Sequence, residues 1–145
     1  MSPSSPRKGN PGRDEGRRSL LARVEEPARL VIQWMDAVNR HDLPGILALC
    51  SDDCRFESPH PAPEGTVFQG RQAIARYWQD FFTRSLEINF ETEDVHGLGF
   101  RAVARWKCTW VDVDGNHKHI RGADLFKMKN GLFCEILSYV KGQLE

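Results

Sequence analysis

Arg121-Gly122-Ala123-Asp124-Leu125-Phe126-Lys127-Met128 decides how the chain folds. Side chains alternate faces along a strand, so Asp124 shares a face with Ile120, Phe126 and Met128. A carboxylate in that row faces an apolar interior. Burial raises its pKa and favours the neutral acid, which then donates a hydrogen bond. Two uses follow for such a residue. It is the acid of a pocket, or it is a buried polar contact that bonds a backbone amide or an indole N–H and fixes the sheet.

Outward from this strand, the pattern stays antiparallel. Asn130-Gly131 is a hairpin turn, and Leu132 to Val140 is the last strand, with Ile136, Ser138 and Val140 on one face. Asp114-Gly115 is the hairpin signal on the other side. It joins the strand from about Asn116 to Lys129 to a long one, Phe100 to Val113. That long strand turns Phe100, Ala102, Ala104, Trp106, Cys108 and Trp110 to one face and Arg101, Arg105 and Lys107 to the other. Before it, Leu86, Ile88 and Phe90 alternate with Glu87, Asn89 and Glu91 until Gly97 and Gly99 break the run.

The N-terminal half has helical period. From about Pro27 to Arg40, the residues Leu30, Val31, Trp34, Ala37, Val38 and His41 make a buried face, with Gln33, Asp36, Asn39 and Arg40 toward water. Asp42 caps a short helix, Pro44 to Cys50. A strand follows from Cys54 to Ser58, then a loop held extended by Pro59, Pro61 and Pro63 that carries His60 and ends near Gly65. Thr66 to Phe68 is a second short strand. A helix from Arg71 to about Phe82 turns Ile74, Tyr77, Trp78 and Phe81 inward. Helices first and an antiparallel meander after them define an α+β fold. A curved, mostly antiparallel sheet wraps the N-terminal helices as a cone and leaves an internal pocket.

The 145 residues suit one domain, and 40% hydrophobic residues suffice for one core. Zero net charge gives no field that favours nucleic acid or a membrane surface. The apolar runs are too short to span a bilayer. Residues 1–24 are rich in Ser, Pro, Gly and Arg and read as a disordered, basic tail; the domain is expected over 25–145. Cys50, Cys54, Cys108 and Cys134 include no CxxC pair, so reduced thiols in a cytoplasmic protein are expected, with no metal. There is no GxGxxG, Walker, GxSxG or HExxH motif, hence no support for a nucleotide cofactor or a common hydrolase mechanism; no cofactor is expected.

Three stretches carry a family resemblance: Trp34-Met35-Asp36-Ala37-Val38-Asn39-Arg40-His41-Asp42-Leu43, Phe68-Gln69-Gly70-Arg71-Gln72-Ala73-Ile74, and Gly122-Ala123-Asp124-Leu125-Phe126 with the strand after it. With these the chain resembles the nuclear transport factor 2-like superfamily, and within it the SnoaL-like group, over about Pro27 to Gly142. The resemblance implies a cystatin-like roll, a small apolar ligand and a homodimer formed through the sheet. It places among the relatives ketosteroid isomerases, polyketide cyclases, epoxide hydrolases, dehydratases and non-catalytic modules. In the ketosteroid isomerase pattern, which also serves as a standard example of pKa tuning, Asp124 falls at the protonated Asp, Trp34 at the Tyr and Ser58 at the general base. An indole N–H donates but passes no proton, and an unactivated serine is no base near neutral pH. The polyketide-cyclase pattern leans on one pocket carboxylate, at Asp124. The epoxide-hydrolase pattern wants an Asp-Arg-Asp network, which the inward face of Phe100 to Trp110 lacks.

The expected site follows. Asp124 is the acid and His60, on the Pro-rich loop, a second proton carrier or else an exposed loop histidine. Trp34, Ser58, Trp78, Trp106, Ile136 and Ser138 line the pocket; for the indoles the alternative is plain packing. His117 and His119 share the opposite face beside a turn and read as a solvated edge. The expected activity is proton transfer on an apolar carbonyl-bearing or cyclic substrate, as an isomerase, cyclase or dehydratase. The alternative is a non-catalytic binding or dimerising module.

Overall fold

The computed structural model describes residues 26–143; the expected tail over 1–24 lies outside them. Helix α1 covers residues 26–39, and α2 is Leu43–Ala48. Strand β1 is Cys50–Ser58 and β2 is Thr66–Gln69. Helix α3 is Arg71–Arg84. The meander is β3 (Leu86–Leu98), β4 (Arg101–Val111), β5 (His117–Lys129) and β6 (Leu132–Lys141). The six strands form one curved, unclosed sheet in the order β2-β1-β6-β5-β4-β3, antiparallel throughout except where β1 runs parallel to β6.

Local chemistry explains most of these boundaries. The Asp42 carboxylate accepts the Gly45 N–H at 3.0 Å and so caps α2, as its position in the sequence predicts. Asn130 and Gly131 both take positive φ, 54° and 78°, and close β5 onto β6 in two residues. The Asp114-Gly115 turn is wider than the expected two residues. The Asp112 carboxylate accepts the N–H groups of Asp114 and Asn116, each at 2.9 Å, and organises a loop over 112–116.

Three expectations need correction. Gly97 does not end β3, which pairs with β4 as far as Leu98↔Arg101; the turn is Gly99-Phe100, and it leaves Phe100 exposed rather than inward. His41 lies beyond α1 at φ 54°, exposed and stacked on Phe82 at 4.3 Å, because the helix has already ended. Asn39 does not face water. Its amide accepts from Phe90 N at 2.7 Å and donates to Phe90 O at 2.9 Å, tying α1 to β3. The Arg71 guanidinium does the same for α3, donating twice to the Cys50 carbonyl at 2.9 and 2.7 Å. Those two bonds account for Arg71 at the helix start.

The core lies between the helices and the inner sheet face. Val31, Trp34, Val38, Ile46, Ile74, Phe126, Phe133 and Ile136 are each at most 2% exposed there. The inner residues of β4 and β5 alternate with exposed ones along both strands, as the sequence period requires.

Candidate functional site

Asp124 sits on β5 with its side chain on the inner face, 7% exposed. Its cross-strand neighbours are small: Ala104 on β4 and Ser138 on β6. Two residues earlier on the same face, Gly122 stands opposite Trp106. A Cβ on Gly122 would lie 2.4 Å from the Trp106 ring and 2.8 Å from the Tyr139 carbonyl, so only glycine lets that indole lie across the strand. These small residues leave space beside the carboxyl. The result is a chamber of about 30 Å³ walled chiefly by Trp78, Trp106, Tyr77, Phe81, Phe90 and Phe56, with Asp124 and Ser138 as polar lining.

The chamber is polar where it matters. Among the described residues, three buried side-chain atoms have no hydrogen-bond partner: Asp124 Oδ1, Trp78 Nε1 and Trp106 Nε1. All three belong to residues that line this chamber. Unpartnered buried polar atoms are rare and costly in folded proteins, so three at one cavity mark a place built for a polar group. Desolvation pushes the Asp124 carboxyl up to about 7, while the nearby Ser138 hydroxyl and Trp106 N–H hold the rise in check. Trp106 is close enough to act on the carboxylate without the alignment of a hydrogen bond, which leaves its Nε1 unpartnered. The other titratable groups of the chamber are silent near neutral pH. Burial pushes the Cys108 thiol up to about 12. The Tyr77 phenol rises well above its ordinary value, through burial first and the nearby Asp124 second.

Two larger grooves adjoin the chamber. One, of about 460 Å³, is lined by Ser58, His60 and the Pro59–Gly65 loop together with Ser138 and Val140. The other, of about 440 Å³, shares Tyr77 and Phe81 with the chamber. The chamber itself holds one or two water-sized groups. A ligand of any size therefore places a single functional group beside Asp124 and lays its body in a groove.

The structure brings Asp124, Trp78, Trp106 and Ser138 together. It does not bring Trp34 or Ile136 to the chamber. Trp34 is 1% exposed and packs edge-on against Trp78, Phe126 and Phe133 at 5.9 to 6.2 Å, and Ile136 is wholly buried. Both belong to the core and stand outside the chamber lining, unlike the expected pocket contacts. Ser58 is buried, but its hydroxyl donates to the His60 carbonyl at 3.1 Å and faces the outer groove rather than the chamber. His60 is exposed and lines both grooves, not the chamber. Tyr77 and Phe81 were legible only as an inward helix face; nothing in their spacing marked them as chamber walls. Among the described residues no cluster of three metal-ligating side chains occurs, and no helix is long and apolar enough to cross a membrane.

Helices packed on a curved, unclosed six-strand sheet place the chain in the nuclear transport factor 2-like class. The chain belongs to the SnoaL-like domain family, whose model matches residues 31–136. A nuclear transport factor 2-like protein of unknown function from Mesorhizobium loti is 32% identical over 83% of this chain and 94% of its own, with a TM-score of 0.70. A proposed polyketide cyclase from Xanthomonas campestris is 21% identical, covering 81% of this chain and 91% of its own at a TM-score of 0.69. A proposed ketosteroid isomerase from Kribbella flavida is 17% identical, covering 84% and 82% at a TM-score of 0.67. The last two share the fold. No curated protein matches the sequence.

Proposed function

We propose that this SnoaL-like protein binds an apolar, carbonyl-bearing or cyclic molecule and catalyses a proton transfer on it, as an isomerase, cyclase or dehydratase. The observation that carries the proposal is the Asp124 carboxyl, buried, pushed up to about 7, and with one oxygen unpartnered at a chamber lined by two unpartnered indole N–H groups. In its neutral form Asp124 donates to a carbonyl oxygen, and Trp78 and Trp106 add N–H donors as negative charge develops there. The transfer itself starts from the ionised form: the Asp124 carboxylate takes a proton from substrate carbon while the indole N–H groups hold the developing enolate oxygen, and the carboxyl, now neutral, returns that proton at a second carbon. His60 stays outside this step, on the groove.

The experiment is turnover of steroid enone and polyketide probes by the wild type and by Asp124→Asn. Loss of turnover with binding retained supports the proposal. If Asp124→Asn and Asp124→Leu both handle the probes as the wild type does, the catalytic assignment fails.

One observation favours a non-catalytic reading. The base position of the isomerase pattern is Ser58, whose hydroxyl is committed to a backbone carbonyl. On that reading a hydrophobic fluorophore binds stoichiometrically and no probe is converted. Under either reading we propose a cytoplasmic protein that pairs with a second copy through the outer sheet face, where Val103, Leu125 and Leu137 align across β4, β5 and β6.

A further inference from the structure

The groove that shares Tyr77 and Phe81 with the chamber is also walled by His60, Ser85, Trp110, Val113, Arg84 and Asp112. Its walls are thus largely apolar, and its charged groups are unequal. Asp112 is committed. Its carboxylate accepts two backbone N–H groups of the 112–116 loop and lies 4.0 Å from Lys118 Nζ. Those contacts, the Asn116 N–H foremost, hold it below its ordinary pKa, so it stays ionised, and the neighbouring Lys118 ammonium offsets that charge. Arg84 is not committed. Its Nε reaches only the Asp80 carbonyl one turn back, at 3.4 Å, and no carboxylate of the described residues pairs with it. The last turn of a helix favours a cation, which accounts for the residue type but not for the aromatic groove beside it. The Arg84 charge also reaches inward, where it pulls the Tyr77 phenol pKa down against the effect of burial. Tyr77 lines both the groove that holds Arg84 and the chamber that holds Asp124.

We infer that this groove binds the anionic end of an amphipathic carboxylate. The head group pairs with Arg84, and the apolar body crosses Tyr77 and Phe81. A carboxylate is the partner a guanidinium fork matches best, through two parallel N–H···O bonds. The inference deepens the proposed function by giving its substrate a charged tail, and it rests on that proposal only for what lies at the chamber end.

The test is calorimetric titration with a matched pair of probes, 2-naphthylacetate and 2-naphthylacetamide, which differ in charge and little in shape. The wild type is expected to bind the acid about fivefold more tightly than the amide, the scale of an exposed ion pair, and to lose most of that preference in roughly 0.5 M salt. Arg84→Gln should bring the ratio to about one, and Arg84→Lys should keep part of it. Asp124→Asn should leave the ratio unchanged, so failure of the chamber chemistry and failure of the groove assignment read out separately. A wild-type ratio near one, a ratio that survives in Arg84→Gln, or no binding of either probe would overturn the inference.

Discussion

The inner face of the sheet has two halves, and they meet on β5. At the Phe126 end, Trp34, Phe126 and Phe133 contact one another at ring distances of 4.9 to 6.2 Å and are each at most 2% exposed. At the Asp124 end, Ala104, Gly122 and Ser138 replace large side chains, and the three partnerless atoms of the described residues gather around the gap. Both halves contain tryptophan: Trp34 in the first, Trp78 and Trp106 in the second. The difference lies in what flanks each indole: Phe126 and Phe133 pack on Trp34, whereas Gly122 opposite Trp106 and the small Ala104 and Ser138 beside Asp124 leave a gap.

The sharpest way to break that contrast is to truncate at the packed end. Trp34→Ala should cost about 3–5 kcal/mol of stability, measured by denaturant unfolding, since the residue is 1% exposed within the core. A loss under 1 kcal/mol would mean that the Phe126 end is not the solid half. The next effect is pH-dependent. The folded state keeps the Asp124 proton up to about pH 7, whereas an unfolded Asp releases it near 4. Stability from this group is therefore full below pH 4 and falls through the window from about 4 to 7, by up to roughly 4 kcal/mol. Asp124→Asn should flatten that part of the curve and be more stable than the wild type at pH 8, as thermal melts at several pH values would reveal. Smaller again, Gly122→Ala should cost about 1–3 kcal/mol by overpacking against Trp106, with a change in tryptophan fluorescence. The smallest effect on stability belongs to the outer face. Leu125→Lys should leave the fold within about 0.5 kcal/mol yet convert a dimer to a monomer in sedimentation experiments.

Much of this contrast was written in local pattern. The alternation around Asp124 placed it inside, Asn130-Gly131 marked the final hairpin, and Asp42 announced the cap of α2. What stayed hidden depended on partners distant in the chain. Asn39 looks like a water-facing helix residue until β3 presents Phe90 to it. Trp34 and Trp106 share a residue type and an inward direction, and only the strand register tells which one meets Phe133 and which one meets Gly122. The size of the chamber was illegible for the same reason, because an inward aromatic row describes a cavity and a filled core equally well. β1 began earlier than expected, at Cys50, since its pairing is with β6 and is broken by a register shift before Arg55.

The Asp124 carboxyl is neutral at mildly acidic pH because the sheet encloses it. Carbon-13 NMR of the Asp124 side-chain carboxyl, followed from pH 3 to pH 9, reads that state directly. A midpoint near 7 that is absent from Asp124→Asn is the predicted result; a midpoint near 4, that of a solvated aspartate, would contradict it.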